Sequence, residues 1–332
     1  MPNILVIRYG TIGDSIFASV FFRELRNNYK NAQIDILVDE ISKGVMKNCP
    51  YINNIYDIGE NRKFHILKFI KLFRQYDTIY FLKNDRFYTI TAFLAGVKNR
   101  VGFDVKRNAF LTYKRPYKND KHEVDCYLDL LSFADMNIEN RNTEVWIDKE
   151  SEDRVKNDIS RISKKRVLIH AYSRMSKKNW LDDYWMKVIE YISNDLDAQI
   201  FFSGGKKDSQ LYDNLLENCV ELKNKPINIC GKYSVIESMA LVKNMDLVIG
   251  IDSCAVHMAA ALDKQSILLN GPTSLIRWKP RSDKCVVLTK KFECSPCYLE
   301  KGAKKLCRNT VSKCMVAITP DMVINEISKL NW

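Results

Sequence analysis

A short apolar run that ends in a polar turn and continues as a helix constrains this chain most. Residues Leu247–Ile251 show no polar alternation, which is typical of a strand covered on both faces. Asp252 and Ser253 follow as helix-capping residue types, and the small residues at 255–262 predict a helix. Such a turn presents backbone N–H groups that favour phosphate. An ordinary capped strand–helix unit explains this stretch alone equally well.

Length and composition indicate two globular domains. The chain has 332 residues, and its 46% hydrophobic content is normal for a protein with complete cores. The apolar runs are too short to cross a bilayer, which takes about 20 residues. The N-terminus opens on a predicted strand and lacks a signal-type segment. These features predict a cytoplasmic location.

The net charge of +12 predicts an anionic partner. Lysine and arginine are concentrated in two stretches, residues 98–121 and 277–313. Neither stretch carries a nucleic-acid-binding motif, so we expect anionic small molecules or lipid headgroups as partners and no nucleic acid. A lysine-rich, solvated surface is the alternative explanation.

The first half of the chain alternates predicted strands and helices, which predicts an α/β domain with a parallel sheet. The first strand runs into a glycine loop that reads Gly-x-x-Gly-Asp, and an apolar helical period follows. This loop is neither the dinucleotide fingerprint nor a phosphate loop of the Gly-Lys-Ser/Thr type. Strands are predicted at 3–8, 34–38, 54–56, 78–82 and 100–103, and helices at 64–73, 88–94 and 125–133.

The same pattern restarts after a polar passage at residues 138–165, which contains a predicted helix at 152–162. Strands are predicted at 166–171, 199–203, 227–229, 247–251, 265–269 and 286–288, and helices at 184–192, 208–217, 235–242 and 255–262. A last helix at 321–330 follows Pro320. We therefore expect domains at residues 1–155 and 156–317, and a C-terminal helical segment, 318–332, that could pack back on the first domain.

Polar residues and glycines gather where the predicted strands end. Asp14 lies at such an end in the first domain. The corresponding residues of the second domain are Ser173, Lys178, Gly204, Gly205, Asp252 and Gly271. Ligands of open α/β sheets bind beyond the carboxyl ends of the strands. We therefore expect a ligand-binding cleft between the two domains.

Five short segments together carry a resemblance that none of them would support alone. They are Arg8-Tyr9-Gly10-Thr11-Ile12-Gly13-Asp14, Lys178-Asn179-Trp180, Gly204-Gly205, residues 252–261, and Gly271-Pro272-Thr273 with Trp278 and Pro280. In this order and spacing they resemble glycosyltransferase family 9, the heptosyltransferases of lipopolysaccharide core assembly, over nearly the whole chain. The fourth segment is similar to the family pattern Asp-Thr-Gly-x-x-His-x-Ala-x-Ala. The resemblance implies a GT-B fold, in which two Rossmann-like domains with parallel sheets face a central cleft.

The resemblance also implies an activity: inverting, metal-independent transfer of heptose from ADP-heptose to an anionic lipopolysaccharide-core or related glycan acceptor. Asp14 matches the catalytic base. The implied donor-binding residues are Ser173, Lys178, Gly205, Asp252, Ser253, Cys254, Ala255, His257, Gly271 and Thr273. For the acceptor we expect Gly10, Thr11 and Gly13 beside the base, and the basic residues Arg62, Lys63, Lys106 and Arg107. A lipid-linked acceptor would bring the enzyme into peripheral contact with the cytoplasmic face of the inner membrane.

These residue types suit the implied chemistry. A carboxylate at Asp14 can take the proton from an acceptor hydroxyl. The helix N-terminus after Asp252 and the ammonium of Lys178 can hold a diphosphate leaving group without a divalent cation. Simpler explanations of the same residues are a helix cap for Asp14 and a core histidine for His257.

The chain departs from the family pattern in the donor segment. Ser253 and Cys254 stand where the family has threonine and glycine. The acidic residue that follows the double glycine is usually glutamate in the family, whereas two lysines intervene here and Asp208 is the nearest acid. These differences bear on which sugar and which nucleotide base the donor carries more than on the reaction itself.

Four of the ten cysteines lie late in the chain, at Cys294, Cys297, Cys307 and Cys314. The first pair has the spacing of metal ligands, whereas the second pair is wider than usual. Autotransporter heptosyltransferases, which this chain resembles, carry late cysteines and are thought to bind iron. The cluster could therefore form a structural zinc or iron site, and the resemblance favours iron. Four reduced thiols, or disulfides acquired on purification, are the alternative. No cofactor is expected for catalysis.

Other functions remain open at this point. An enzyme of the same fold could use another nucleotide sugar or a protein acceptor, and a non-catalytic relative could bind a nucleotide sugar in the same cleft. A Rossmann oxidoreductase is disfavoured because the sequence lacks Gly-x-Gly-x-x-Gly. The sequence does not indicate an oligomeric state.

Overall fold

The computed structural model describes residues 2–59, 65–105, 108–219, 221–297 and 312–330. The chain forms two compact units, Met1–Trp146 and Ile147–Trp332. The predicted boundary at residue 155 falls inside a helix of the second unit, where Val155 and Ile159 are buried. Within the described ranges, no helix combines the length and the apolar character that crossing a bilayer requires.

The first unit is built on a parallel sheet of six described strands. These are β1 (Asn3–Ile7), β2 (Gln33–Val38), β3 (Asn54–Asp57), β4 (Thr78–Phe81), β5 (Asn99–Phe103) and β6 (Tyr113–Arg115). Their spatial order is β3-β2-β1-β4-β5-β6. The helices between and after them are α1 (Ile12–Asn28), α2 (Glu40–Met46), α3 (Ile66–Phe73), α4 (Arg86–Leu94) and α5 (Glu123–Asp129).

The second unit has a parallel sheet of its own, again with six described strands. These are β7 (Arg166–His170), β8 (Gln199–Phe202), β9 (Ile227–Asn228), β10 (Leu247–Ile251), β11 (Ser266–Asn270) and β12 (Cys285–Thr289), in the order β12-β11-β10-β7-β8-β9. Its helices are α6 (Lys149–Ile159), α7 (Asp182–Glu190), α8 (Ser209–Glu217), α9 (Val235–Lys243), α10 (Cys254–Ala261), α11 (Leu275–Trp278), α12 (Lys313–Val316) and α13 (Pro320–Lys329).

The two sheets share one topology. Numbered from its own first strand, each sheet has the order 3-2-1-4-5-6, the arrangement of doubly wound dinucleotide-binding domains. The strand order reverses between β1 and β4 in the first unit and between β7 and β10 in the second. Loops at such a switch point leave the sheet in opposite directions, which opens a crevice at the carboxyl ends of these strands.

Burial explains why these segments form strands and helices. Strands β4, β10 and β11 are buried at every position, as expected for the inner strands of a sheet covered on both faces. Helix α10 consists mainly of alanine and other small residues, which lets it pack closely over β10 and β11. The predicted α/β class and the two parallel sheets are confirmed.

The C-terminal helix differs from the sequence-based expectation. Helix α13 packs on α7, and its Val323 and Ile327 lie in the core of the second unit. The apolar face of α13 is therefore buried within the second unit. Trp180 also holds the segment that precedes α13, because its indole Nε1 donates hydrogen bonds to the carbonyls of Met315 and Ile318, at 3.1 and 2.8 Å.

Candidate functional site

The glycine loop after β1 is closed by a reciprocal cap at the start of α1. Thr11 is the N-cap residue, and its hydroxyl accepts from the backbone N–H of Asp14 at 3.2 Å. The Asp14 carboxylate in turn accepts from the backbone N–H and the hydroxyl of Thr11, at 3.1 and 2.8 Å. This capping box satisfies free N–H groups of the helix N-terminus. The capping role considered for Asp14 is therefore present.

Asp14 has a second partner that the cap does not require. The Arg8 guanidinium lies 2.9 Å from the other carboxylate oxygen of Asp14, and the two side chains are 5% and 25% exposed. Burial alone would raise the pKa of Asp14, but the positive charge of Arg8 and the hydrogen bonds from Thr11 hold it below its usual value. Asp14 is therefore ionised at neutral pH and partly accessible, as a proton acceptor must be.

Arg8 is fixed by its surroundings as well as by Asp14. Its Nη1 donates to the carbonyl of Tyr9 at 2.7 Å, and its guanidinium lies 5.6 Å from the ring centre of Tyr127. Burial opposes its charge, yet the carboxylate of Asp14 keeps the pKa of Arg8 above its ordinary value. The cation is permanent, so it can hold one orientation of the carboxylate.

Gly10 permits these charged groups to approach one another. It has a φ of +143°, and a Cβ added there would lie 3.1 Å from Asp14 Oδ2 and 3.6 Å from both Arg8 Nη1 and Lys83 Nζ. Gly13, by contrast, lies in the first turn of α1. The predicted acceptor residues Arg62, Lys63, Lys106 and Arg107 lie outside the described residues.

The second unit presents a buried charge cluster where β10 ends. Lys178 Nζ lies 2.8 Å from Asp252 Oδ2 and donates to the Asp252 carbonyl at 3.1 Å. His257 Nε2 lies 3.4 Å from the other carboxylate oxygen. Burial opposes the charge of Asp252, but its hydrogen bond with His257 and the charge of Lys178 hold its pKa well below the usual range. The structure thus brings three predicted donor-binding residues together.

The start of α10 differs from the predicted cap. Ser253 occupies the N-cap position, but its side chain makes no capping hydrogen bond, and its buried Oγ has no hydrogen-bond partner among the described residues. Cys254 begins the helix, and burial raises the pKa of its thiol to about 11. The residue that replaces the family glycine therefore carries a neutral thiol. Cys254 and Ala255 place their N–H groups in the uncapped first turn of α10.

Two further predicted donor residues lie where β7 and β8 end. Ser173 accepts from the N–H of Met175 at 3.1 Å through its hydroxyl and donates its own N–H to Asn179 at 2.9 Å. The Gly205 N–H donates to the carboxylate of Asp208 at 2.8 Å. Asp208, the acid nearest the double glycine, therefore folds back on that turn.

The last predicted donor segment is tightly packed within its own unit. A Cβ at Gly271 would lie 2.5 Å from Met315 Sδ and 2.8 Å from Cys314 Sγ. Thr273 is buried, and its hydroxyl donates to Asn270 Oδ1 at 2.5 Å. These contacts give both residues a packing role, and their contact with a donor stays a prediction.

The late cysteines are only partly described, because Cys307 lies outside the described residues. The Cys297 N–H donates to the carbonyl of Pro272 at 2.9 Å, beside the glycine that Cys314 covers. Burial first, and then the neighbouring Cys297 and Cys294, raise the pKa of Cys314. Across the part of the chain that the structure describes, no group of three His, Cys, Asp or Glu side chains forms a metal site.

Both charge clusters lie at the switch points of their sheets. Asp14 follows β1 and Lys83 follows β4, whereas Lys178 follows β7 and Asp252 follows β10. Ligands of doubly wound sheets bind at this place. Each unit therefore places a cation and a carboxylate at the point where its fold binds ligands.

Arg8 and Lys83 were not predicted as site residues. The sequence holds a signal for each: Arg8 directly follows an apolar strand, and Lys83 is a basic residue at the carboxyl end of another apolar run. The partners of both residues depend on the pairing of strands, which the local sequence does not reveal.

Two doubly wound units of one topology are the architecture of GT-B glycosyltransferases. The family model of glycosyltransferase family 9 (heptosyltransferase) matches residues 66–307, which is most of the chain. The chain belongs to glycosyltransferase family 9, and it is a glycosyltransferase.

Known relatives agree with this assignment. The chain is 23% identical to lipooligosaccharide heptosyltransferase 2 of Haemophilus influenzae, with 99% of each protein aligned. It shares its fold with the family 9 glycosyltransferase of Veillonella parvula, with a TM-score of 0.84, 20% identity and coverage of 99% of this chain and 96% of that one. The Escherichia coli ADP-heptose lipopolysaccharide heptosyltransferase II has a TM-score of 0.80 at 20% identity, with 98% of each chain covered.

Proposed function

We propose that this enzyme transfers heptose from ADP-heptose to an anionic lipopolysaccharide-core acceptor at the cytoplasmic face of the inner membrane. The observation that carries the proposal is the ionised, partly exposed carboxylate of Asp14 at the switch point of the first sheet, held by Arg8. The sugar and the class of acceptor are inferred from relatives that are named as heptosyltransferases.

Asp14 acts as the general base in this proposal. A carboxylate has about four lone-pair positions, and three of those of Asp14 are used by Arg8 and Thr11. The remaining position can accept a hydrogen bond from an acceptor hydroxyl and take its proton as the new glycosidic bond forms. The acceptor oxygen would attack the anomeric carbon directly while the bond to ADP breaks on the opposite face, so the configuration at that carbon would invert.

The donor diphosphate is bound by the second unit. The N-terminus of α10 lacks a side-chain cap and favours an anion. The Oγ of Ser253, which has no partner among the described residues, adds a hydrogen-bond donor at the same place. Lys178 supplies a positive charge beside this helix terminus. These groups can stabilise the charge that develops on the leaving ADP without a divalent cation.

Turnover with a panel of nucleotide sugars tests the proposal. Purified enzyme is incubated with a truncated core acceptor and with ADP-heptose, ADP-glucose, UDP-glucose or GDP-mannose, with and without EDTA. We expect transfer from ADP-heptose only, an inverted anomeric configuration by NMR, and no effect of EDTA. Transfer from another donor, retention of configuration, or complete inhibition by EDTA would each contradict one part of the proposal. Donor binding without any turnover would indicate a non-catalytic relative.

A further inference from the structure

Lys83 follows β4, the strand that pairs with β1 at the switch point of the first sheet. Ile7 and Phe81 are partners in the register, and the N–H of Leu82 donates to the carbonyl of Ile7 at 3.2 Å. The pairing of β4 with β1 therefore places Lys83 beside the loop that contains Gly10 and Asp14, although the two segments are far apart in the sequence.

The ammonium group of Lys83 is held by the main chain and by a ring. Its Nζ donates to the carbonyl of Tyr9 at 3.3 Å and lies 4.1 Å from the centre of the Tyr9 ring. Tyr9 is itself fixed, since its hydroxyl donates to Asp85, the N-cap residue of α4. Lys83 is half-buried, and it makes no ion pair with a carboxylate of the described residues.

Lys83 lacks the close carboxylate that Arg8 has. Arg8 pairs with Asp14 at 2.9 Å, whereas Asp14, Asp39 and Asp85 act on Lys83 only from beyond ion-pair distance. Burial, and then the like charge of Arg8, lower the pKa of Lys83, which means that the protein opposes this cation more than it stabilises it. An ammonium has three donors, and Tyr9 uses one of them. A bound anion would stabilise the cation and occupy a free donor.

We propose that Lys83 binds a carboxylate or phosphate of the acceptor, on the sugar whose hydroxyl Asp14 deprotonates or on the sugar next to it. The proposal rests on the function proposed above. Lys83 Nζ and Asp14 Oδ2 lie 3.6 and 3.1 Å from one point, the Cβ position that Gly10 leaves empty, so the two side chains are close neighbours. Thr11 donates two hydrogen bonds to Oδ2, so the accepting position that stays open on Asp14 is on Oδ1. A single sugar residue can therefore present its hydroxyl to Asp14 and its anionic group to Lys83. Lys83 would select acidic acceptors over neutral ones.

Acceptor kinetics of Lys83→Met, with Lys83→Arg and Lys30→Met as comparisons, test this proposal. Lys30 is an exposed lysine just beyond the far end of α1, about 25 Å from Thr11 at 1.5 Å per helical residue. We expect Lys83→Met to raise the acceptor KM about 10- to 100-fold, the range for a lost hydrogen bond between charged groups. The kcat and the donor KM should change less than about twofold, Lys83→Arg should retain most of the affinity, and Lys30→Met should match the wild type.

Paired acceptors identify the anionic group. One pair carries a sugar carboxylate or the corresponding carboxamide, and the other pair carries a sugar phosphate or the free hydroxyl. The substitution should have no effect on the acceptor that lacks the group which Lys83 binds. An unchanged KM for all four acceptors would overturn the proposal. So would a loss confined to kcat with a displaced acid limb of the pH profile, because Lys83 would then act only on Asp14.

Calorimetric titration of each acceptor separates this proposal from the proposed function. If the wild type fails to use ADP-heptose but binds the anionic acceptor more tightly than Lys83→Met does, the proposed function fails and the Lys83 site stands. If the wild type and Lys83→Met bind that acceptor equally, the Lys83 site fails, whatever the turnover.

Discussion

The ammonium of Lys178 lies 2.8 Å from the carboxylate of Asp252, at the mouth of helix α10. The first unit repeats this relationship at its own switch point, where Arg8 lies 2.9 Å from Asp14. Burial opposes the charge of both carboxylates, but Arg8 holds the pKa of Asp14 below its ordinary value, and His257 together with Lys178 does the same for Asp252. The pairs differ in accessibility, because Asp252 is nearly buried and Asp14 is a quarter exposed. The accessible carboxylate suits proton transfer, and the buried one suits positioning.

Lys178→Ala is expected to weaken ADP binding about 10- to 100-fold, since it would remove the charged hydrogen bond to the diphosphate that we propose. It also leaves Asp252 with one charged neighbour fewer, so a lower melting temperature is expected. Isothermal titration calorimetry with ADP measures the first effect. Lys187→Ala, at an exposed position of α7, is the control and should bind ADP normally. Equal ADP affinities of Lys178→Ala and Lys187→Ala would show that Lys178 does not bind the donor.

Asp14→Asn is expected to reduce kcat about 10²- to 10⁴-fold, the usual contribution of a general base, while ADP binding persists. The amide retains the shape of the side chain but cannot take the proton. Asp148→Asn is the matched control, because Asp148 caps α6 of the second unit by accepting from the N–H of Ser151. Near-normal turnover of Asp14→Asn would exclude the base assignment.

The rate should be insensitive to acid until the pH falls below the ordinary aspartate pKa, about 3.9. A carboxylate whose pKa is lowered on folding stays ionised, and keeps its contribution to stability, until the pH falls through that lowered pKa. Arg8→Met removes the charge that opposes burial, so the acid limb of kcat/KM should move up by about 1–3 pH units.

Two comparisons make the Arg8 experiment specific. Arg8→Lys should keep most of the charge effect and hence most of the wild-type profile. Arg26→Met removes an arginine that binds carbonyl groups and Asn53 but no carboxylate of the described residues, so it should leave the acid limb in place even if it lowers stability. An acid limb that Arg8→Met does not move would show that Asp14 is not the group being titrated.

Gly271→Ala should destabilise the second unit by about 1–3 kcal/mol, because the new methyl group overlaps the sulfur atoms of Met315 and Cys314. Met315→Ala removes one of these atoms. The double variant should therefore lose less stability than the sum of the two single variants in urea unfolding. Strict additivity would mean that the backbone moves away from the new methyl group.

Stoichiometric zinc or iron is expected by elemental analysis if the late cysteines form the structural site that the family resemblance implies. Cys297→Ser and Cys314→Ser should then lose the metal, because thiolates are its strongest ligands. Cys219→Ser, which changes a cysteine far along the chain from this cluster, should retain it. A metal-free wild type would support the alternative of reduced thiols.

The inner strands were predictable because a strand covered on both faces reads as an unbroken apolar run. Strands at the edge of a sheet and very short helices could not be predicted from the sequence. Strand β6 reads Tyr-Lys-Arg and carries no apolar signal, and helices α11 and α12 have four residues each, too few for a helical period. Helix α2 contains a glycine and a serine, which weaken its helical pattern.

The carboxylates at the strand ends were also predictable, whereas their partners were not. Asp252 follows β10 directly, and Asp14 follows β1 after a short glycine loop, so position along the chain suffices to find them. Lys83 meets Tyr9 across 74 residues, and Lys178 meets Asp252 across the same separation. Contacts of this kind follow from which strands pair, and pairing depends on the sheet as a whole.

The shared strand order of the two sheets bears on how such an enzyme can change over time. Each unit has a hydrophobic core and a charged pair at a switch point of its own. If the first unit binds the glycan and the second binds the activated sugar, as proposed, natural variation can alter one specificity while the other stays the same. The duplicated topology would then make the two specificities separately inheritable.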